Sequence, residues 1–139
     1  MNTMAYAMDH DKENQWCCML TGSCAPIISP TDFRKLFFHH AHTTMMTWKP
    51  AWWNVNFHRR ANLRQLPLKL RIGHAPWFVM QRSHVLTCLS YPKTNQDMFQ
   101  LVARGTIANE SLFGIILTQH NLMKDVLNYS SHLADWTQM

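Results

Sequence analysis

The strictest pattern in the sequence is the alternation at residues 63–71. Leu66, Leu68 and Leu70 fall on one face of an extended chain, and Gln65, Pro67, Lys69 and Arg71 on the other. Successive strand side chains point to opposite sides, so this period predicts a half-buried strand with its leucines inward. Residues 72–75, Ile-Gly-His-Ala, read as a hairpin connection into a second strand over 76–86 that is apolar on both faces. Pro67 has no amide hydrogen for a ladder and belongs at an edge or a bulge. The centre of the chain is thereby committed to an antiparallel sheet.

The flanking segments supply helices and further strands. Residues 1–15 are polar and acidic without a period, which predicts a flexible N-terminal tail and leaves 16–139 as a single domain. Thr31-Asp32 is an N-cap pair for a short helix carrying Phe33, Leu36 and Phe37 on one face. Residues 43–48 suit a strand, as do Trp53, Val55 and Phe57, which alternate with Asn54, Asn56 and His58. Asn95 or Asp97 caps a helix bearing Met98, Leu101 and Val102, ended by Gly105, and residues 110–117 are helical. Beyond them, Leu122, Met123, Val126 and Leu127 fit a helix, and Met123, Leu127 and Tyr129 fit a strand equally well. With no βαβ rhythm, the predicted class is α+β, an antiparallel β-sheet with short helices packed on it. Its core should hold Leu66, Leu68, Leu70, Trp77, Val79, Leu101, Leu112, Phe113 and Ile116.

Composition narrows the function classes. At 139 residues, 47% hydrophobic and 15% charged, the chain has material for one core and lacks the charge of a disordered segment. Runs such as Phe78-Val79-Met80 and Ile115-Ile116-Leu117 are too short to cross a bilayer, so no membrane span is expected. The net charge of +5 is carried by scattered residues with no block beyond Arg59-Arg60 and no RNA-binding signature, which argues against a nucleic-acid partner. A positive field also suits an enzyme for small dianions. Cys17, Cys18, Cys24 and Cys88 make a poor disulfide framework and no signal peptide precedes them, so reduced thiols and a cytoplasmic location are expected. His39, His40 and His42, with His58, form the metal candidate. No carboxylate or thiol joins them at a defined spacing, so they read as rim histidines and no metal is expected. Four spread glycines cannot build a phosphate cradle, and no Gly-x-Ser-x-Gly occurs.

Arg64 stands out because period two places it on the leucine face. A buried arginine needs a carboxylate partner or an anion, so Arg64 either lines an anion-binding cavity or is solvated at the strand's frayed start.

The order of short motifs resembles one known family. Leu63-Arg64-Gln65-Leu66, a turn, Pro76-Trp77 and Arg82-Ser83 resemble the central hairpin of bacterial chorismate–pyruvate lyases. Residues 105–113, Gly-Thr-Ile-Ala-Asn-Glu-Ser-Leu-Phe, are similar to that family's small helix ending in Leu-Phe. Leu122-Met123-Lys124-Asp125-Val126 is similar to its Leu-x-Arg-Asp strand, and Thr21-Gly22-Ser23 to its Gly-Ser turn. The resemblance implies an enclosed ligand cavity, a strand after Leu117, no cofactor, and elimination of pyruvate from chorismate to give 4-hydroxybenzoate for ubiquinone biosynthesis. On that pattern Arg64 is the catalytic and substrate-binding cation, gripping a carboxylate of a small anionic aromatic precursor. Cys24 and Ala108 add pocket contacts, the second through its backbone. The family's last strand, with a substrate-contacting glutamate, has no counterpart here. The alternative implied is a non-catalytic module on the same fold, binding a small ligand or a partner chain at an open sheet edge.

Overall fold

A computed structural model describes residues 1–22, 24–40, 43–50 and 57–132, with the backbone alone for 57–60. Its sheet is organised around β3 (Ile72–Gln81). The other strands are β1 (Trp16–Cys18), β2 (Thr44–Pro50) and β4 (Val126–Leu127), in the order β1-β3-β2-β4. β3 is antiparallel to both neighbours, pairing Cys17 with Met80 on one side and Met45 with Val79 on the other. β4 joins the far side of β2 in parallel, Thr44 opposite Val126. The α+β class is therefore as expected, but the sheet is mixed rather than antiparallel throughout. The helices are α1 (Asn2–His10), α2 (Pro30–His39), α3 (Arg82–Thr94), α4 (Gln96–Ala103) and α5 (Leu112–Gln119).

Two elements dominate the core. β3 buries Ile72, Gly73 and His74, then Phe78, Val79 and Met80, on both faces without alternation. α5 buries six consecutive residues, Leu112 to Leu117, as a helix apolar all round must. Gly114 permits their contact, because a Cβ there would lie 2.7 Å from Ile72 Cγ2. Of the expected core, Leu66, Leu70, Val79, Leu112, Phe113 and Ile116 are buried, and Trp77 and Leu101 half-buried.

The predicted hairpin is absent. Residues Phe57–Gln65 and Leu68–Leu70 form 3-10 turns, and β3 begins only at Ile72, so residues 72–75 open a strand instead of a turn. Leu63, Leu66 and Leu70 are buried, and Leu68 is 61% exposed. The inward leucines thus lie three and four apart, a helical spacing, and the period-two reading selected the wrong three. Pro67, extended at φ −53° and ψ 145°, separates the two turns, and its carbonyl accepts the Leu70 amide at 2.9 Å. The second predicted strand also ends early: from Arg82 onward His84, Val85, Cys88 and Tyr91 recur at helical spacing and face inward along α3. The strand expected around Trp53 and Val55 lies outside the described residues.

The acidic N-terminal segment, whose composition predicts a frayed tail, forms α1. Met4 and Met8, one turn apart, are both buried, each contributing about 1.5–3 kcal/mol. Arg82 ties the segment down by donating to the carbonyls of Asn14 (2.8 Å) and Met8 (3.3 Å). α2 forms as predicted, but its cap is Ser29, whose Oγ accepts from the Asp32 amide, and it buries none of its residues. After Leu117 a 3-10 turn (Met123–Asp125) leads into β4, so the strand alternative holds for Val126–Leu127.

Candidate functional site

α4 is two-faced. Met98, Phe99, Leu101 and Val102 pack toward the core, while Gln96, Asp97, Gln100 and the C-cap Arg104 are exposed on the other side. Opposite that polar face stands the end of the Phe57–Gln65 turn. Between them lies a groove of about 440 Å³ lined by Asn62, Gln96, Asp97, Gln100, Leu101 and Arg104.

The turn is held in an expensive conformation. Ala61 (φ 48°) and Asn62 (φ 56°) are consecutive left-handed residues, at roughly 1–3 kcal/mol each for a non-glycine, less for asparagine. Three contacts fix them. The Ala61 amide donates to Thr106 O at 2.8 Å, Asn62 Nδ2 donates to Leu101 O at 2.6 Å, and Gly105 presses directly on the turn. A Cβ at Gly105 would fall 2.4 Å from Ala61 Cα, so only glycine admits this approach. The result is an asparagine clamped against one end of α4, facing a row of polar side chains. A carboxylate, a guanidinium and three carboxamides here offer donors and acceptors together, the set that suits a hydroxyl-rich ligand.

A second groove, about 500 Å³, is lined by Gln15, Trp16, Gln81, Arg82, Ser83 and Leu86. Its cation is already engaged by the carbonyls of Met8 and Asn14, and no carboxylate lines it. Behind it Gln81 Nε2 donates to His84 Nε2 at 2.9 Å, and His84 Nδ1 donates to Thr44 Oγ1 at 2.8 Å. Burial depresses the His84 pKa, with Asp125 pulling weakly the other way, so the imidazole is neutral and structural.

The residues singled out in the sequence are placed elsewhere. Arg64 is exposed on the 3-10 turn, not inward among leucines, and its carbonyl accepts from Arg71 Nη2 at 3.2 Å. Cys24 sits in the loop after β1. Its thiol lies 3.2 Å from Thr21 Oγ1 and receives the Thr21 amide at 3.3 Å; these bonds, the hydroxyl's foremost, lower its pKa. Ala108 opens a 3-10 turn (Ala108–Glu110) behind Ile107 (φ 56°) and packs against the core. None of the three lines either groove. His39 and His40 meet edge to face at the end of α2, centroids 4.7 Å apart, and His42 lies outside the described residues. Among the described residues no group of three or more His, Cys, Asp or Glu is placed to hold a metal. Sequence reasoning missed the α4 groove, although the spacing of Gln96, Gln100 and Arg104, four apart on one helix face, signals it.

The family model of the Core-2/I-branching enzyme matches residues 1–139. No curated protein and no solved structure matches the chain. The chorismate–pyruvate lyase resemblance is corrected by the full-length match, which is to a transferase family and not to a carbon–oxygen lyase. With it fall the chorismate reaction, the place in ubiquinone biosynthesis and the non-catalytic alternative. The roles of Arg64, Cys24 and Ala108 toward chorismate lose their premise. The fold gives the physical reason: the motifs read as one hairpin lie on a 3-10 turn, a strand and the first turn of a helix.

Proposed function

Because the chain belongs to the Core-2/I-branching enzyme family, a family of glycosyltransferases, we propose that it acts in glycosyl transfer, joining a sugar from an activated donor to a hydroxyl of a glycan acceptor. The observation that carries this reading is the family match along all 139 residues. In the transfer, the bond between the sugar's anomeric carbon and its leaving group breaks and a new glycosidic bond to the acceptor oxygen forms. The acceptor proton must go to a base, and the leaving group departs with negative charge. We assign these tasks to the α4 groove: Asp97 receives the proton, Arg104 faces the departing anion, and Asn62, Gln96 and Gln100 hold sugar hydroxyls. The presence of a carboxylate and a guanidinium in one polar groove supports the assignment. No helix of the described residues is long and apolar enough to cross a membrane.

The test is transfer itself. The protein is incubated with a panel of activated sugars and an oligosaccharide acceptor, and the acceptor's mass is followed for the gain of one sugar. Asp97→Asn is expected to lower the rate on the order of a hundredfold, and Arg104→Gln to lower it as well. Both residues are exposed, so circular dichroism should be unchanged. No gain with any donor refutes glycosyl transfer; transfer undiminished in both variants refutes the groove.

A further inference from the structure

Among the described α-helices, α2 alone buries no residue. It is held to the sheet by Phe37, edge-on to Trp16 at 5.3 Å. The helix and the loop before it expose Leu20 (62%), Ile27 (75%), Ile28, Phe33, Leu36 and Phe38 (61%). Apolar exposure so concentrated marks an interaction surface.

The charge around this surface defines the occupant. Arg34 and Lys35 lie between Phe33 and Leu36 in sequence, and the Arg34 guanidinium stands 5.6 Å over the Phe38 ring. Asp32, 3.8 Å from Lys35, is the one carboxylate on the helix, against the two cations Arg34 and Lys35. We infer that α2, with Leu20 and Ile27–Ile28, docks peripherally on an anionic lipid surface. The phenylalanines and isoleucines enter the boundary between headgroups and acyl chains, and Arg34 and Lys35 meet the lipid phosphates.

A bilayer fits better than a protein groove because the Arg34 guanidinium stands over the exposed Phe38 ring, within the apolar set rather than at a rim. A dry protein interface would have to desolvate Arg34 and Lys35 along with their neighbours. At a bilayer, long cationic side chains lay their stems among apolar groups and keep their heads at the phosphates. A helix of ten residues, about 15 Å long, lies along the surface.

The experiment is co-sedimentation of the full chain with phosphatidylcholine vesicles, with and without phosphatidylserine. The protein is expected to pellet with the anionic vesicles only, and less as salt is raised. Arg34→Gln with Lys35→Gln should weaken binding on the order of tenfold, and Phe33→Ser with Phe38→Ser should weaken it at least as much. The melting temperature should be unchanged in the charge variant, whose two side chains are exposed. Phe33 and Phe38 also pack on Phe37, at 5.8 and 5.4 Å, so the phenylalanine variant is read for binding only with its circular dichroism matching the parent's. The inference is overturned if the parent ignores anionic vesicles, or if the double phenylalanine variant binds them like the parent. It is also overturned if the parent ignores vesicles but is a dimer in size-exclusion chromatography that this variant dissociates, which gives the face to a second copy of the chain.

Discussion

Replacing His74 by leucine should flatten the acid side of the protein's stability curve. His74 lies in the middle of the sheet on β3, 6% exposed, between the Phe78 and Phe113 rings at 6.0 and 5.9 Å. Its Nδ1 donates to the Ala75 carbonyl at 2.7 Å, and its Nε2 is buried with no hydrogen-bond partner among the described residues. A proton on Nε2 would create a buried, uncompensated charge, and burial accordingly pushes the pKa from 6.5 down to about 4, against a small opposing effect of the Ala75 bond. Below pH 6.5 the unfolded chain takes up a proton that the native state refuses, so stability falls as pH drops from 6.5 toward 4. At 1.36 kcal/mol per pH unit, that interval amounts to about 3 kcal/mol, a sizeable share of the ~5–15 kcal/mol typical of a domain. His74→Leu removes this dependence, and at neutral pH it also removes an unsatisfied nitrogen, so the variant should be equal to or more stable than the parent there. Urea unfolding of parent and variant at a series of pH values between neutrality and 4 measures both effects. If the two proteins lose stability in parallel over that range, His74 is not a buried neutral imidazole and the packing of β3 against α5 is misassigned.

Gly105→Ala should lower stability by at least the ~1–3 kcal/mol of an overpacked core, because the new Cβ meets backbone atoms of Ala61 and Asn62 at 2.4–2.7 Å. A urea midpoint equal to the parent's would mean the turn does not rest on α4. With limiting thiol reagent at neutral pH, Cys24 should react first, its thiolate favoured by the Thr21 hydroxyl and amide, and Thr21→Ala should slow it. Cys88, buried in α3 and pushed up to about 12, should react last, and rapid labelling of it in the native protein by peptide mapping would contradict the α3 packing.

The elements legible in the sequence were those whose local pattern allowed one reading. α5 has only apolar residues from Leu112 to Ile116 apart from Gly114, and α4 carries its apolar residues at 98, 101 and 102 behind an asparagine cap. The stretch at 63–71 failed because its leucines satisfy two periods at once, two apart at 66, 68 and 70 and three or four apart at 63, 66 and 70. In so short a window the choice falls to tertiary partners, and β3 already had both edges occupied by β1 and β2. α3 was missed for a different reason. Its inward stripe is His84, Val85, Cys88 and Tyr91, and two of those four are polar by any scale. They are acceptable inside because Thr44 bonds His84 and Gln119 bonds the Tyr91 hydroxyl, partners 40 and 28 residues away that no local window contains. α1 is similar, a pair of methionines whose burial depends on Arg82 anchoring the chain behind them.

The α4 groove shows how far that argument extends to a site. One wall is local: Gln96, Asp97, Gln100 and Arg104 project from one face of a helix whose other face is apolar. The opposite wall is Asn62, and its place depends on two left-handed residues that no sequence rule predicts for Ala-Asn within a turn. What stabilises them is a glycine 43 positions further on, at the end of the helix that forms the first wall. The wall and its clamp are therefore one structure. A change at Gly105 that lets the turn relax to ordinary dihedrals would swing Asn62 away from Leu101 O, where its side chain is now fixed at 2.6 Å, and open the groove without touching any residue that lines it. The same logic explains why motif order misled. Arg64, Trp77 and Arg82 follow one another as they would in a hairpin, but the chain places them on a 3-10 turn, a strand and a helix. Order along the chain constrains function only after the dihedrals between the motifs are known.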